Sequence, residues 1–537
     1  MALSNSLTRL PRALQRRWKR RQVNGHIAEL AEQVARHAAA PHTEPVVVFN
    51  ASTRLEGMSL NAAFSLLTAW SLRLGGTPVT HFVCQSGMSR CVLGTDRTRP
   101  GLEPPCRACS RQSGSLYRAA DVHPFPFMSD PQVEGRLQAL DLDGLAAFEH
   151  EDVPLGPLVL PSLRWVLRRH HLDDDEATRF LLRQYILSAW NVRRNFEQVL
   201  DQVRPQAVVL FNGLFFPEAT ARQAAEKRGI RVVNHEVGLR PYSAFFTEGD
   251  ATAYPIHIPE DFELSAAQNA RLDAYLEQRF QGNFSMAGIR FWPEMKSLGA
   301  DFWQTAGQFR QVVPVFTNVI FDTSQTFANV IFSDMFAWLD EVLALARRHP
   351  DTYFVIRAHP DEARPGKASQ ESVAGWARSR QVASLPNVLF VDANEYFSSY
   401  ELIARSKFVM VYNSTIGLEA SLMKVPVLCA GKARFTQLPT VFFPAGVEDF
   451  RRQAEDWLGA NEIHTPAEFY RNARRFLYYQ LFRSSLPFGD LIEEDDIWRG
   501  FVKVKEIAWE DVKAENSPTL QTIVNGILHG TSFELEV

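Results

Sequence analysis

The chain has 537 residues, of which 46% are hydrophobic and 22% charged. That composition excludes a mainly disordered protein, and the length exceeds what one hydrophobic core supports. Fifty-seven lysines and arginines against 61 aspartates and glutamates leave a net charge of −4, which argues against a dedicated nucleic-acid binder.

Residues 1–44 read as a basic helical extension. Between Arg9 and Arg21 stand seven basic residues and no acidic one, interspersed with leucines and Trp18. Such a segment suits either an anionic membrane surface or a solvated basic helix. No run reaches the roughly 20 apolar residues of a spanning helix, and the start lacks the apolar core of a secretory signal. The expectation is a cytoplasmic protein whose membrane contact, where it has any, is peripheral at the inner face.

Residues 45–255 form a first alternating unit. A buried strand at 45–50 is followed by a polar turn at 51–57, a helix at 59–74 and a strand at 77–83, the order of a parallel, doubly wound sheet. The turn carries Ser52, Thr53, Arg54 and Glu56 and reads as a cleft loop. A cysteine-rich insertion follows at 84–109, then a helical region to about 203. The alternation resumes with a strand at 207–212, a helix at 217–228 and a strand at 231–234. Residues 256–310 are poorly patterned and read as inter-domain chain. A second alternating unit spans 311–485, with strands at 312–317, 354–358, 388–391, 408–412 and 425–430, and 486–537 is a terminal extension. The expected fold is α/β, two Rossmann-like domains facing a cleft.

Twice in the second unit an apolar strand breaks abruptly into polar residues, and in open α/β sheets ligands bind at those strand ends. His359 follows one such strand and precedes a proline, which keeps it out of helical geometry. It can donate to a phosphate or transfer a proton near neutral pH, and Arg357 alternates with it. After the strand at 408–412 comes Asn413-Ser-Thr-Ile-Gly-Leu-Glu419. Ser414 or Thr415 reads as an N-cap, Gly417 permits close approach in the first helical turn, and Glu419 can cap or reach ribose hydroxyls. The N–H groups at that helix start would attract a phosphate.

In the first unit, Asn234-His-Glu-Val-Gly238 ends a strand. Glu236 there reads as a general base or an orienting group for an acceptor hydroxyl, with His235 as the alternative. Asp141-Leu-Asp143 lacks a preceding buried strand and reads as surface, so no catalytic metal is expected. Cys84, Cys91, Cys106 and Cys109 lie within 26 positions, spaced x6, x14 and x2. The closing Cys-x2-Cys in a cytoplasmic chain points to structural zinc, with an iron–sulfur cluster or unmetallated or disulfide-bonded cysteines as alternatives. Cys429, alone in an apolar strand, reads as core.

Arg357-Ala-His-Pro360, Tyr412-Asn-Ser-Thr-Ile-Gly-Leu-Glu-Ala420 and Lys424-Val-Pro-Val427 together resemble the capsule polysaccharide biosynthesis family. The resemblance covers roughly 312–443 and extends, more distantly, to the CDP-glycerol glycerophosphotransferases. Those relatives usually carry Asp-Tyr-Ser-Ser where this chain has Val411-Tyr412-Asn413-Ser414, which disfavours glycerophosphate transfer. The resemblance implies a GT-B fold, a nucleotide-sugar donor held in the carboxyl-terminal domain by the His-Pro pair and the Ser-Thr-x-Gly-x-Glu segment, and a polysaccharide or glycolipid acceptor. The function it implies is glycosyl transfer in surface polysaccharide assembly. A nucleotide-sugar 2-epimerase and a non-catalytic scaffold are the alternative readings.

Overall fold

The structure, a computed structural model, describes residues 12–50, 57–281, 296–497 and 500–536. Most of the polar turn at 51–57 therefore lies outside the described residues.

The chain opens with helix α1 (Arg12–His37), then β1 (Val46–Asn50), α2 (Leu60–Leu74), β2 (Val79–Cys84), α3 (Cys106–Leu116) and β3 (Asp121–Phe125). Four helices follow: α4 (Pro131–Gln138), α5 (Leu142–Ala146), α6 (Leu155–Leu167) and the long α7 (Glu176–Val203). The unit closes with β4 (Ala207–Phe211), α8 (Phe216–Glu226), β5 (Arg231–Val237) and β6 (Ser243–Thr247). Strands β1 to β5 pair in parallel, and β6 runs antiparallel to β5.

Helices α9 (Ala266–Phe280) and α10 (Ala300–Ala306) lead to the second unit. It comprises β7 (Gln311–Phe316), α11 (Gln325–Ala328), α12 (Met335–Arg348), β8 (Thr352–Arg357), α13 (Val373–Ser379), β9 (Val388–Val391), α14 (Ser399–Ala404), β10 (Val409–Val411), α15 (Ile416–Leu422) and β11 (Val427–Cys429). Its sheet is wholly parallel, in the order β11-β10-β7-β8-β9. After α16 (Val447–Gly459) and α17 (Ala467–Tyr478) the chain returns to the first unit. There β12 (Leu486–Pro487) pairs with β6, the hairpin β13 (Ile492–Glu494) and β14 (Val502–Val504) follows, and α18 (Pro518–His529) packs on α2.

The continuous apolar runs become strands because helices cover both faces of each sheet, so alternate residues feed two different cores. Val46 and Val48 pack with α1, α2 and α18, whereas Val47 and Phe49 pack with α6 and α7. In the second unit Tyr353 and Val355 face one core while Phe354 and Ile356 face the other. Cys429 is fully buried in the first of these, as expected. Ser59 caps α2 by accepting the Ala62 amide at 3.2 Å.

One expectation is corrected. The segment expected as a cysteine-rich insertion is the crossover between the parallel neighbours β2 and β3, with α3 inside it. It escaped recognition because β3 (Asp-Val-His-Pro-Phe) is a polar edge strand containing proline, a composition tolerated only where the ladder ends. The stretch 256–310, poorly patterned in sequence, contains α9, whose Ser265 and Gln268 form a reciprocal capping box. None of the four clustered cysteines is in a disulfide. Among the described residues no group of three or more His, Cys, Asp or Glu side chains is arranged to hold a metal ion. Asp141 accepts the Gly144 amide and caps α5, which accounts for the Asp-x-Asp triplet.

Candidate functional site

The carboxyl ends of β7, β8, β10 and β11 open onto a cleft of about 550 Å³. Its wall includes Arg357, His359, Asn413, Ser414, Thr415 and Glu419, six of the residues singled out in the sequence.

His359 caps a short turn at Pro360–Ala363, and its Nδ1 accepts the Asp361 amide at 3.2 Å. With Nδ1 committed as acceptor, the ring proton sits on Nε2. Burial lowers the His359 pKa, against the opposing influence of Asp361 and Asp322. The group is therefore a neutral hydrogen-bond donor near pH 7. Arg357 is buried at the end of β8 and donates to Ser399 Oγ at 2.6 Å. Burial pulls its pKa down to about 10, with Glu395 opposing. Asn413 Oδ1 accepts from Asn318 at 2.6 Å and Gln325 at 3.2 Å, tying the end of β10 to the loop after β7.

Helix α15 begins as expected after Thr415, but the Thr415 side chain makes no capping bond. Gly417 permits close packing against β10 and the turn after β11. A Cβ there would lie 2.9 Å from Val411 Cγ2 and 3.0 Å from Phe435 Cζ. Glu419, 5% exposed, accepts hydrogen bonds from Arg279 Nη2 and from the Tyr400 hydroxyl, each at 2.5 Å. Its carboxylate is thus occupied by an arginine from α9, in chain that looked unpatterned.

The same cleft contains groups the sequence reading missed: Asp322 after β7, and Lys432 and Arg434 after β11. Polar residues following buried strands were the available signal, the one already used for His359. Arg434 lies over the Tyr254 ring at 4.0 Å, and Tyr254 donates to the Val237 carbonyl at 2.5 Å. That chain of contacts joins the second unit's cations to β5 of the first.

Glu236 does not line this cleft. It accepts from Asn212 at 2.8 Å, from the Val237 amide at 2.8 Å and from Asn61 at 3.4 Å. Burial raises its pKa despite those donors, and Asp322 adds to the rise, so the two carboxylates are within electrostatic reach. Asn212 and Gly213 both adopt positive φ, 62° and 82°, to turn the chain beneath it. A side chain on Gly213 would meet Asn234 Oδ1 at 2.7 Å. His235 points the other way: it is 0% exposed, neither ring nitrogen has a partner, and burial depresses its pKa to about 3. A histidine in that setting packs between Phe211 and Phe246 and has no route to a substrate proton.

Residues 296–456 match the family model described as capsule polysaccharide biosynthesis protein, the family that the Arg-Ala-His-Pro and Asn-Ser-Thr-Ile-Gly segments resemble. No curated protein matches the chain. Among solved structures, the chain is similar to the Thermosulfurimonas dismutans KpsC β-Kdo 2,4 transferase. The identity is 14% over 52% of this chain and 80% of that one, with a TM-score of 0.35. The β-Kdo 2,7 transferase of the same organism's KpsC gives 13%, 59%, 87% and 0.33. The Neisseria meningitidis UDP-GlcNAc 2-epimerase bound to UDP-GlcNAc gives 14%, 82%, 99% and 0.22.

Proposed function

We propose, from the premise that residues 296–456 form a capsule polysaccharide biosynthesis module, that the protein is a GT-B-type glycosyltransferase. It moves a sugar from a nucleotide-activated donor onto a surface polysaccharide or glycolipid. The observation that carries this reading is the convergence of Arg357, His359, Lys432 and Arg434 on one cleft at the strand ends of that module.

Three cations suit the phosphates of a nucleotide sugar. Arg357 is held by Ser399 and Arg434 by its stacking on Tyr254, so little reorganisation is needed when charge develops on the departing phosphate. His359 adds a neutral Nε2–H donor to the same phosphate. Glu236, from the first unit, takes or orients the proton of the acceptor hydroxyl, and burial, with a smaller contribution from Asp322, raises its pKa as proton transfer near neutral pH requires.

A thermal-shift panel of CMP, CDP, UDP, GDP and their sugar conjugates tests the donor site. At about 100 times its dissociation constant, one nucleotide class adds about 2.7 kcal/mol of stability. His359→Ala reduces that gain. No response to any nucleotide would replace this reading with the scaffold, and conversion of UDP-GlcNAc without an acceptor would replace it with the epimerase.

The reading extends to a peripheral membrane contact. Leu14 and Trp18, 48% and 61% exposed, lie one turn apart on α1, on the face opposite the one that buries Ile27, Leu30 and Val34. Arg16, Lys19 and Arg21 flank them in exposed positions. No helix among the described residues is long and apolar enough to cross a membrane, so this face would lie on an anionic surface rather than insert through it. Vesicles containing phosphatidylglycerol co-sediment the protein at low salt, and Trp18→Glu abolishes that binding. Equal sedimentation with pure phosphatidylcholine vesicles would rule out the electrostatic contact.

A further inference from the structure

The crossover from β2 to α3 contains about twenty residues with turns only, at 85–105. Irregular chain of that length inside a compact unit is uncommon and usually carries a function. Here it is pinned to α7 along its first half. Asn191 donates to the Gly87 carbonyl at 2.8 Å, Ser89 Oγ to the Gln184 carbonyl at 3.2 Å, and the Tyr185 hydroxyl to Thr95 Oγ1 at 3.1 Å. Arg90 braces the second half by donating to the carbonyls of Pro100 and Gly101 at 2.9 and 2.7 Å.

Within this frame the chain twice forms the same turn, Cys84-Gln-Ser-Gly87 and Cys91-Val-Leu-Gly94. In each, the glycine amide points at the cysteine sulfur: Gly87 N to Cys84 Sγ at 3.2 Å, and Gly94 N to Cys91 Sγ at 3.3 Å. Burial raises the thiol pKa of Cys84 and Cys91 to about 12, with the glycine N–H groups opposing. The second turn sits directly on the start of α3, since a Cβ on Gly94 would lie 2.7 Å from Pro104 Cβ and 3.3 Å from Pro105 Cδ. Cys106 and Cys109 occupy the first turn of that 11-residue helix. The Cys84 sulfur interacts electrostatically with those of Cys91, Cys106 and Cys109. Two loop turns and one helix start therefore bring all four sulfurs to one neighbourhood.

We propose that Cys84, Cys91, Cys106 and Cys109 are the thiolate ligands of a thiophilic metal centre, a zinc ion or an iron–sulfur cluster, that fixes the β2–β3 crossover. Soft thiolate sets select these two chemistries. The side chains as they stand are not closed around an ion. Loading therefore includes rotation of the thiols onto a common centre, which a cluster of several irons requires least because it spans more space than one ion. Binding releases the thiol protons to solvent and involves no change in sulfur oxidation state.

The test uses the full chain purified without oxygen. Stoichiometric zinc supports the proposal, as does iron with acid-labile sulfide and visible thiolate-to-iron absorption, and the two results separate the two chemistries. The metal is lost in Cys106→Ser/Cys109→Ser and kept in Cys429→Ser, whose sulfur lies in the other unit. Should the double variant fail to fold, alkylation of the native wild type supplies the second readout, with the four clustered thiols reacting only after chelation. A metal-free protein whose clustered thiols alkylate at the same rate before and after chelation would overturn the proposal. A disulfide among the four in the oxygen-free preparation would do the same.

Discussion

Glu236→Gln lowers sugar transfer by about 10²–10⁴-fold, the usual contribution of a positioned general base, while nucleotide binding is retained. The amide is isosteric, but its single oxygen serves one side only, the Val237 amide and Asn61 or else Asn212, so a melting curve is read beside the rate to separate lost catalysis from lost fold. The wild-type pH profile carries the same information. Burial raises the Glu236 pKa, and a base works only when ionised, so transfer rises with pH through that elevated value. In the glutamine variant the acid limb disappears along with most of the rate. The stability consequence has a definite sign. A carboxyl whose folded pKa lies above its unfolded one contributes stability at low pH, and loses it as pH rises through the folded value. The variant is therefore the more stable of the two on the alkaline side. Full transfer by Glu236→Gln would make this carboxylate structural and move the base assignment to Asp322, which faces the cleft itself.

Glu419→Ala destabilises the carboxyl-terminal unit by about 3–5 kcal/mol, the cost of stranding one member of a buried ion pair. Arg279 and Glu419 are both buried, their contact is 2.5 Å, and Tyr400 completes the set by donating to the same carboxylate. Removing Glu419 takes the counter-charge from a buried guanidinium, which keeps its 3.0 Å bond to the Tyr275 hydroxyl, and an acceptor from the half-buried Tyr400 hydroxyl. The paired replacement Arg279→Met/Glu419→Leu recovers much of the loss, because an apolar pair of similar volume has no desolvation penalty to offset. Denaturant unfolding of the three proteins, read on the second unit, checks the sequence of stabilities. The alternative outcome is equally specific. Unchanged stability with lost nucleotide binding would mean that Glu419 serves the ligand, as its position in the helical first turn first suggested.

Glu419 shows how far local pattern carries a candidate site residue. Its spacing within Ser-Thr-Ile-Gly-Leu-Glu marks it, but its partner lies 140 positions away on α9. Local pattern carries no information about a contact of that separation. His235 and Glu236 make the complementary point. They are adjacent in sequence and equally polar, yet the alternation of a strand sends one ring into the core and the other side chain toward Asn212 and Asn61. Lys432 and Arg434 were as legible as His359, since each follows a buried strand, but a cation after a strand is ordinary until a cleft collects several of them.

The parallel α/β character of both units, most of their central strands, and the strand-end location of the cleft were determined by the sequence alone. Strands covered on both faces must be apolar throughout, and that signal is local and strong. The tertiary structure decided what depends on pairing between distant segments: the return of β12 to the first sheet beside β6, the edge position that lets polar β3 be a strand, the Arg279–Glu419 pair, and the gathering of four cysteines around one crossover. Each of these is set by which surfaces remain to be covered once the cores have formed, and no stretch of chain contains that information by itself.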